Sequence, residues 1–105
     1  MRVQLKRGIV NIAILKRLES RPSYGYEIMA DISRFIDMPE STLYTILNRL
    51  ESKGYLTDFT RQNHGRLRKY YKITRAGIRR LAAFKQECGE MQHLINYILG
   101  ENDDS

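Results

Sequence analysis

Apolar and polar positions along this chain follow a helical period, then a two-residue period from about residue 55, then a helical period again. Residues 5–18 hold Ile9, Val10, Ile12, Ala13, Ile14, Leu15 and Leu18. That is too many apolar residues for one stripe, so the spacing predicts a helix buried on two sides. In so short a chain, a second copy is the readiest source of the second surface. Arg21-Pro22 closes the segment. Ser23 is the expected N-cap of a second helix that includes Ile28 and Ile32. Phe35, Ile36 and Met38 form an apolar connector, and Pro39 suits the first turn of a third helix. Lys53-Gly54 supplies the cation and the glycine expected where that helix stops. Residues 55–60 and 67–73 are then β-prone, with a polar stretch between them that predicts a hairpin loop longer than two residues. On the second strand, Leu67, Tyr71 and Ile73 share one face, and Arg66, Arg68, Tyr70 and Lys72 share the other. Thr74 caps a last helix running to about Leu99. In it Leu81, Phe84, Cys88, Met91, Ile95 and Ile98 are spaced 3, 4, 3, 4, 3, which is a heptad seam.

The third helix has two unlike faces. Leu43, Ile46, Leu47 and Leu50 lie on one, and Ser41, Tyr44, Thr45, Asn48 and Ser52 on the other, flanked by Thr42 and Arg49. A face meant only for water is usually rich in Lys and Glu. Short donor–acceptor side chains suit base edges and phosphate oxygens instead. The element order is that of a winged helix-turn-helix, whose third helix enters the major groove while the hairpin forms the wing. The expected fold is therefore mainly α with a small β-hairpin. Residues 1–75 would form a DNA-binding winged helix-turn-helix, residues 76–100 a C-terminal dimerisation helix, and residues 101–105 a disordered acidic tail. Base and phosphate contacts are expected from Ser41, Thr42, Tyr44, Thr45 and Asn48 on the helix and from Arg66, Arg68 and Lys69 on the wing, with Lys6 and Arg7 joining from the first helix. The seam residues Leu81, Phe84, Cys88, Met91, Ile95 and Ile98 are expected to pair two copies.

Composition sharpens this picture. The 105 residues include 18 Lys+Arg and 12 Asp+Glu, for a net charge of +6. The excess favours a polyanionic partner. It is also unevenly placed, because residues 59–86 hold no acid. Cys88 is the only cysteine, which excludes an intrachain disulfide and fits a reducing compartment. No signal-like segment or spanning apolar run is visible, so a cytoplasmic location and no membrane partner are expected.

Four stretches together resemble the PadR-like transcriptional regulators: Tyr24-Gly25-Tyr26-Glu27, Ser41-Thr42-Leu43-Tyr44, the run from Leu50 to Leu56, and the run from Gly65 to Gly77. The resemblance covers roughly residues 5–77, and the single terminal helix is similar to the family's smaller subgroup. Leu67 stands where the family often has Pro, and Ser41 where it often has Gly. Membership implies a homodimeric repressor on a near-palindromic operator, released in some members by a small aromatic or drug-like ligand bound between subunits. Phe84 and Met91 read as dimer core before they read as the lining of such a pocket, and the chain has no Trp to stack on a planar drug.

Two rival readings make different demands. An enzyme needs a nucleophile with a base, paired carboxylates or a metal cluster. His64 and His93 are far apart, and Cys88 and His93 do not share a helix face, so neither catalysis nor a metal or other cofactor is expected. A winged-helix protein-interaction module without DNA binding is the alternative, but it would place large apolar anchors where Ser41, Thr45 and Asn48 stand. Cys88 reads as a small hydrophobe in the seam. A redox role would require two copies to bring their thiols together.

Overall fold

The computed structural model describes residues 7–101. Lys6, Leu5 and residues 102–105 lie outside that range, so the reading of Lys6 as a contact and of the acidic tail is not addressed by it. The elements run α1 (Arg7–Ser20), β1 (Ser23–Tyr24), α2 (Gly25–Ile32), α3 (Glu40–Ser52), β2 (Leu56–Asn63), β3 (Arg66–Ile73) and α4 (Arg75–Ile98). The three strands form one antiparallel sheet in the order β1-β3-β2. The fold is mainly α, with a hairpin wing. Among the described residues, no helix is long and apolar enough to cross a membrane.

The core is a helical tripod closed by the base of the sheet. Ile14, Leu15 and Leu18 of α1, Ile28 of α2, and Leu43 and Leu47 of α3 are fully buried, and Leu56, Tyr71 and Leu81 close over them. The termini of α3 follow from its sequence. At its end, Gly54 takes φ +80°. Its N–H donates to the Glu51 carbonyl at 2.9 Å, and the Tyr55 N–H donates to the Leu50 carbonyl at 2.9 Å. This is a Schellman arrangement, which answers the helix's last carbonyls. Thr74 then joins three elements. Its hydroxyl donates to the Gly54 carbonyl at 2.6 Å and accepts from the Gly77 N–H at 3.1 Å, capping α4 as the sequence led us to expect.

Five expectations are corrected. Ser23 is not the N-cap of α2. It pairs with Tyr71 in the sheet, and Tyr24 holds the cap position. The fully buried Ser23 hydroxyl instead donates to Glu27 at 2.6 Å and accepts from Arg17 at 3.1 Å. Pro39 is the N-cap of α3 rather than part of its first turn. The hairpin turn has two residues, not more, because Asn63 pairs with Arg66. His64 and Gly65 take φ +54° and +78°, the left-handed pair of a type I′ turn, which matches strand twist. Finally, α1 finds both of its burying surfaces inside one chain, because it packs against α2, β3 and α4. Val10, Ile12, Ile14, Leu15 and Leu18 are all buried there, and Ile9 remains exposed. Part of the seam shares that fate: Leu81 is only 2 % exposed and Phe84 packs on the same core, so Leu81 has no surface left for another copy.

Candidate nucleic-acid interface

The exposed face of α3 keeps the composition its sequence predicts. Leu43, Ile46, Leu47 and Leu50 face the core, while Ser41, Tyr44, Thr45 and Asn48 are exposed and Thr42 is half-buried. Thr45 is partly engaged: its hydroxyl donates to the Ser41 carbonyl at 3.0 Å. Its hydroxyl proton is thereby used, so it presents lone pairs and a methyl group to the outside. Tyr44 leans back across the start of α2, and its ring and hydroxyl fill the space where a side chain on Gly25 would be. Its hydroxyl is thereby brought near the wing.

The outer face of the sheet carries an aromatic column flanked by guanidinium groups. Tyr70 pairs across strands with both Tyr24 and Phe59. Its ring stacks on Phe59 at 5.4 Å between centroids and meets Tyr24 edge-on at 5.3 Å. The Asn63 side-chain amide donates to the Tyr70 hydroxyl at 2.8 Å. Arg61 lies over Tyr70 and Phe59 at 5.0 and 5.2 Å, and Arg68 lies over Tyr24 at 4.4 Å. Tyr70 sits on the basic face, as its period requires, yet this packing leaves it only 5 % exposed. Among the described residues, Arg61, Arg66, Arg68 and Lys72 make no ion pair or side-chain hydrogen bond. Arg61 was not among the expected contacts. Its signal was its place two residues after Phe59, which becomes readable only once the register sets it opposite Arg68.

Lys69 behaves differently. On the opposite face of β3, its ammonium lies 3.6 Å from Glu51 at the end of α3 and 3.8 Å from Asp58 on β2. Partial burial works against its charge, but Tyr71, Glu51 and Asp58 together hold it above the ordinary lysine range. The neighbouring Asp58 carboxyl, helped by burial, pushes the Glu51 carboxyl up, and Lys69 opposes that. Burial pushes the Tyr71 hydroxyl up. Lys69 is thus a clamp between α3 and the hairpin, with its charge already answered.

The two surfaces meet. A cleft of about 360 Å³ is lined by Tyr24, Gly25 and Tyr26 at the start of α2, by Glu40 and Tyr44 of α3, and by Arg66, Leu67 and Arg68 of the wing. Leu67 is 70 % exposed and faces this cleft rather than the core. Of the expected contacts, Tyr44, Arg66, Arg68 and Lys69 are brought together around it. Ser41, Thr42, Thr45 and Asn48 continue the same helix beyond its rim.

The profile of the transcriptional regulator PadR-like family matches residues 14–83. The chain belongs to this family. Transcriptional regulator Rv3488 of Mycobacterium tuberculosis is 30 % identical over 98 residues, covering 92 % of this chain and 89 % of that protein. A PadR family transcription regulator of Clostridium difficile superposes with a TM-score of 0.80 at 33 % identity, covering 86 % of this chain and 97 % of that one. Bacillus subtilis PadR, solved in complex with operator DNA, superposes with a TM-score of 0.64 at 26 % identity. That match covers 72 % of this chain and 46 % of the Bacillus chain. PadR-like proteins are regulators of transcription, not enzymes, and the winged helix described above is the frame they share.

Proposed function

We propose that this PadR-like protein is a homodimeric repressor that reads a near-palindromic operator with α3 and grips the flanking backbone with its wing. The observation that carries the reading is the shared cleft, where Tyr44 of α3 and the unpaired Arg66 and Arg68 of the wing line one opening and the polar face of α3 continues beyond its rim. Ser41, Thr42, Thr45 and Asn48 meet base edges in the major groove, since the first turns of such a helix point into it. Tyr44 reaches backbone from its seat over Gly25. Arg66 and Arg68 neutralise phosphates without regard to sequence. Residues 1–75 bind DNA, and residues 76–100 pair the copies through Phe84, Cys88, Met91, Ile95 and Ile98. A two-fold dimer matches the symmetry of a palindrome. The solved operator complex of Bacillus subtilis PadR supports the choice of duplex DNA as partner.

A small aromatic effector bound between the subunits would lower operator affinity. Titrating candidate aromatic compounds into a preformed operator complex reads that directly. The central test is selection of bound sequences from random duplexes, followed by salt-titrated binding to the selected site and to a scrambled one. A specific site with affinity falling steeply with salt supports the reading. Recovery of no sequence preference rejects the operator assignment, and the absence of any binding rejects DNA as the partner.

A further inference from the structure

The wing arginines are not equivalent to solvated surface cations. A free arginine loses rotamer freedom when a phosphate fixes it. Arg61 and Arg68 are already laid on rings, one on each side of the Tyr24–Tyr70–Phe59 column. The column is itself fixed, because Tyr70 is pinned by cross-strand neighbours on both sides and by Asn63. The Nε of Arg68 is covered and has no partner within the described residues, so a phosphate would meet this guanidinium through its terminal nitrogens, which make no hydrogen bond within the described residues. Lys69, by contrast, is answered by Glu51 and Asp58.

From this arrangement we infer that Arg61 and Arg68 are a preorganised pair of contacts to DNA backbone phosphates, that Tyr24, Phe59 and Tyr70 are the positioning residues that hold them, and that Lys69 is a structural clamp rather than a contact. The inference rests on the proposed DNA reading and deepens it. It adds Arg61 to the interface and removes Lys69 from it. Preorganisation raises affinity by reducing the freedom lost on binding, with no change in charge. Charge and position therefore leave separate signatures. Removing a phosphate-contacting charge lowers the salt slope by about 0.9 per contact on duplex DNA, whereas removing a supporting ring lowers affinity at an unchanged slope.

The test uses the full chain and a mixed-sequence duplex, titrated over a range of salt. Arg61→Gln is expected to flatten the log–log slope by about 0.9. Lys69→Gln should leave the slope near that of the parent. Tyr24→Leu should weaken binding about two- to fivefold, the worth of an exposed cation–π contact, at unchanged slope. Tyr24→Phe, which keeps the ring, should restore most of that loss. In an Arg68→Gln background, Tyr24→Leu should add nothing further. Because Arg61 is exposed, Arg61→Gln leaves a readable test even if Tyr24→Leu unfolds. An unchanged slope in Arg61→Gln, a slope lowered as much by Lys69→Gln, or an undiminished cost of Tyr24→Leu without Arg68 overturns the inference while DNA binding stands. A parent protein whose binding is insensitive to salt overturns the DNA reading and the inference together.

Discussion

Gly25 lacks a side chain at the one place where Tyr44 needs the room. A Cβ there would run into the Tyr44 hydroxyl and ring. Tyr44 is partly exposed, so it can swing outward rather than force the helices apart. Gly25→Ala is therefore expected to cost only about 1 kcal/mol of stability. It should weaken DNA binding more than that, and to a similar extent as Tyr44→Ala, with the double variant little worse than either alone. Fully additive losses would show that Gly25 serves the backbone and not the seating of Tyr44. Ser23 is the other position where one atom matters. Its hydroxyl is the foremost cause of a lowered Glu27 carboxyl, working against burial and with help from Arg21 and Arg17. A carboxyl held below its unfolded value contributes stability above the ordinary carboxylate range, and that contribution is lost as pH falls through the folded value. Ser23→Ala should thus cost about 1.5–3 kcal/mol at neutral pH, by the usual worth of a hydrogen bond to a charged group, and less in acid. Denaturant melts across that pH range read the difference, and a cost independent of pH would place the effect in packing alone.

The start of α4 is held against the chain segment leaving α3 by close contact at Gly77. A Cβ on Gly77 would meet the Tyr55 carbonyl oxygen and lie 2.7 Å from Ile73 Cγ1. Alanine is the better helix former by about 1 kcal/mol. The clash involves backbone, which cannot swing away, and overpacking of this kind costs about 1–3 kcal/mol. Gly77→Ala is therefore expected to destabilise despite its helix propensity, as read by the midpoint of denaturant unfolding. A stabilised variant would mean that α4 shifts freely on the sheet. The order and type of the helices were legible because their apolar spacing agrees with their caps, as at Lys53-Gly54 and Thr74. The faces of α3 were legible for the same reason. The turn is not legible because Asn63-His64-Gly65 holds only one glycine, and the positive φ of His64 does not follow from composition. The role of Ser23 is not legible either, because a serine before a helix looks the same whether its hydroxyl caps the helix or its residue is claimed by a buried strand pair. The aromatic column was invisible because it joins residues from three strands, and only the register places Tyr24, Tyr70 and Phe59 in one row.

A chain of this length folded into one body should have a radius of gyration near 13 Å. Here it is 16.2 Å, and the molecule measures 59 × 28 × 23 Å. The excess length comes with a helix whose beginning is buried and whose end is not. Leu81 is locked into the core, whereas Met91, Leu94, Ile98 and Leu99 are all more than half exposed, and Ile95 is 37 % exposed. A single chain gains nothing by leaving that row in water, where each side chain buried would contribute about 1.5–3 kcal/mol. The expected solution is a second copy covering the half of α4 beyond Phe84, not the α1 face that the chain already covers for itself. Ile95→Asp is the decisive change, since it would bury an unpaired charge in the middle of that row. It should convert the dimer to a monomer by light scattering while leaving the winged body folded, because Ile95 lies outside the core cluster. The half-sites would then bind independently, so operator affinity should fall far more than affinity for a single half-site. A variant that remains dimeric would show that the copies pair elsewhere and that the exposed row serves another partner.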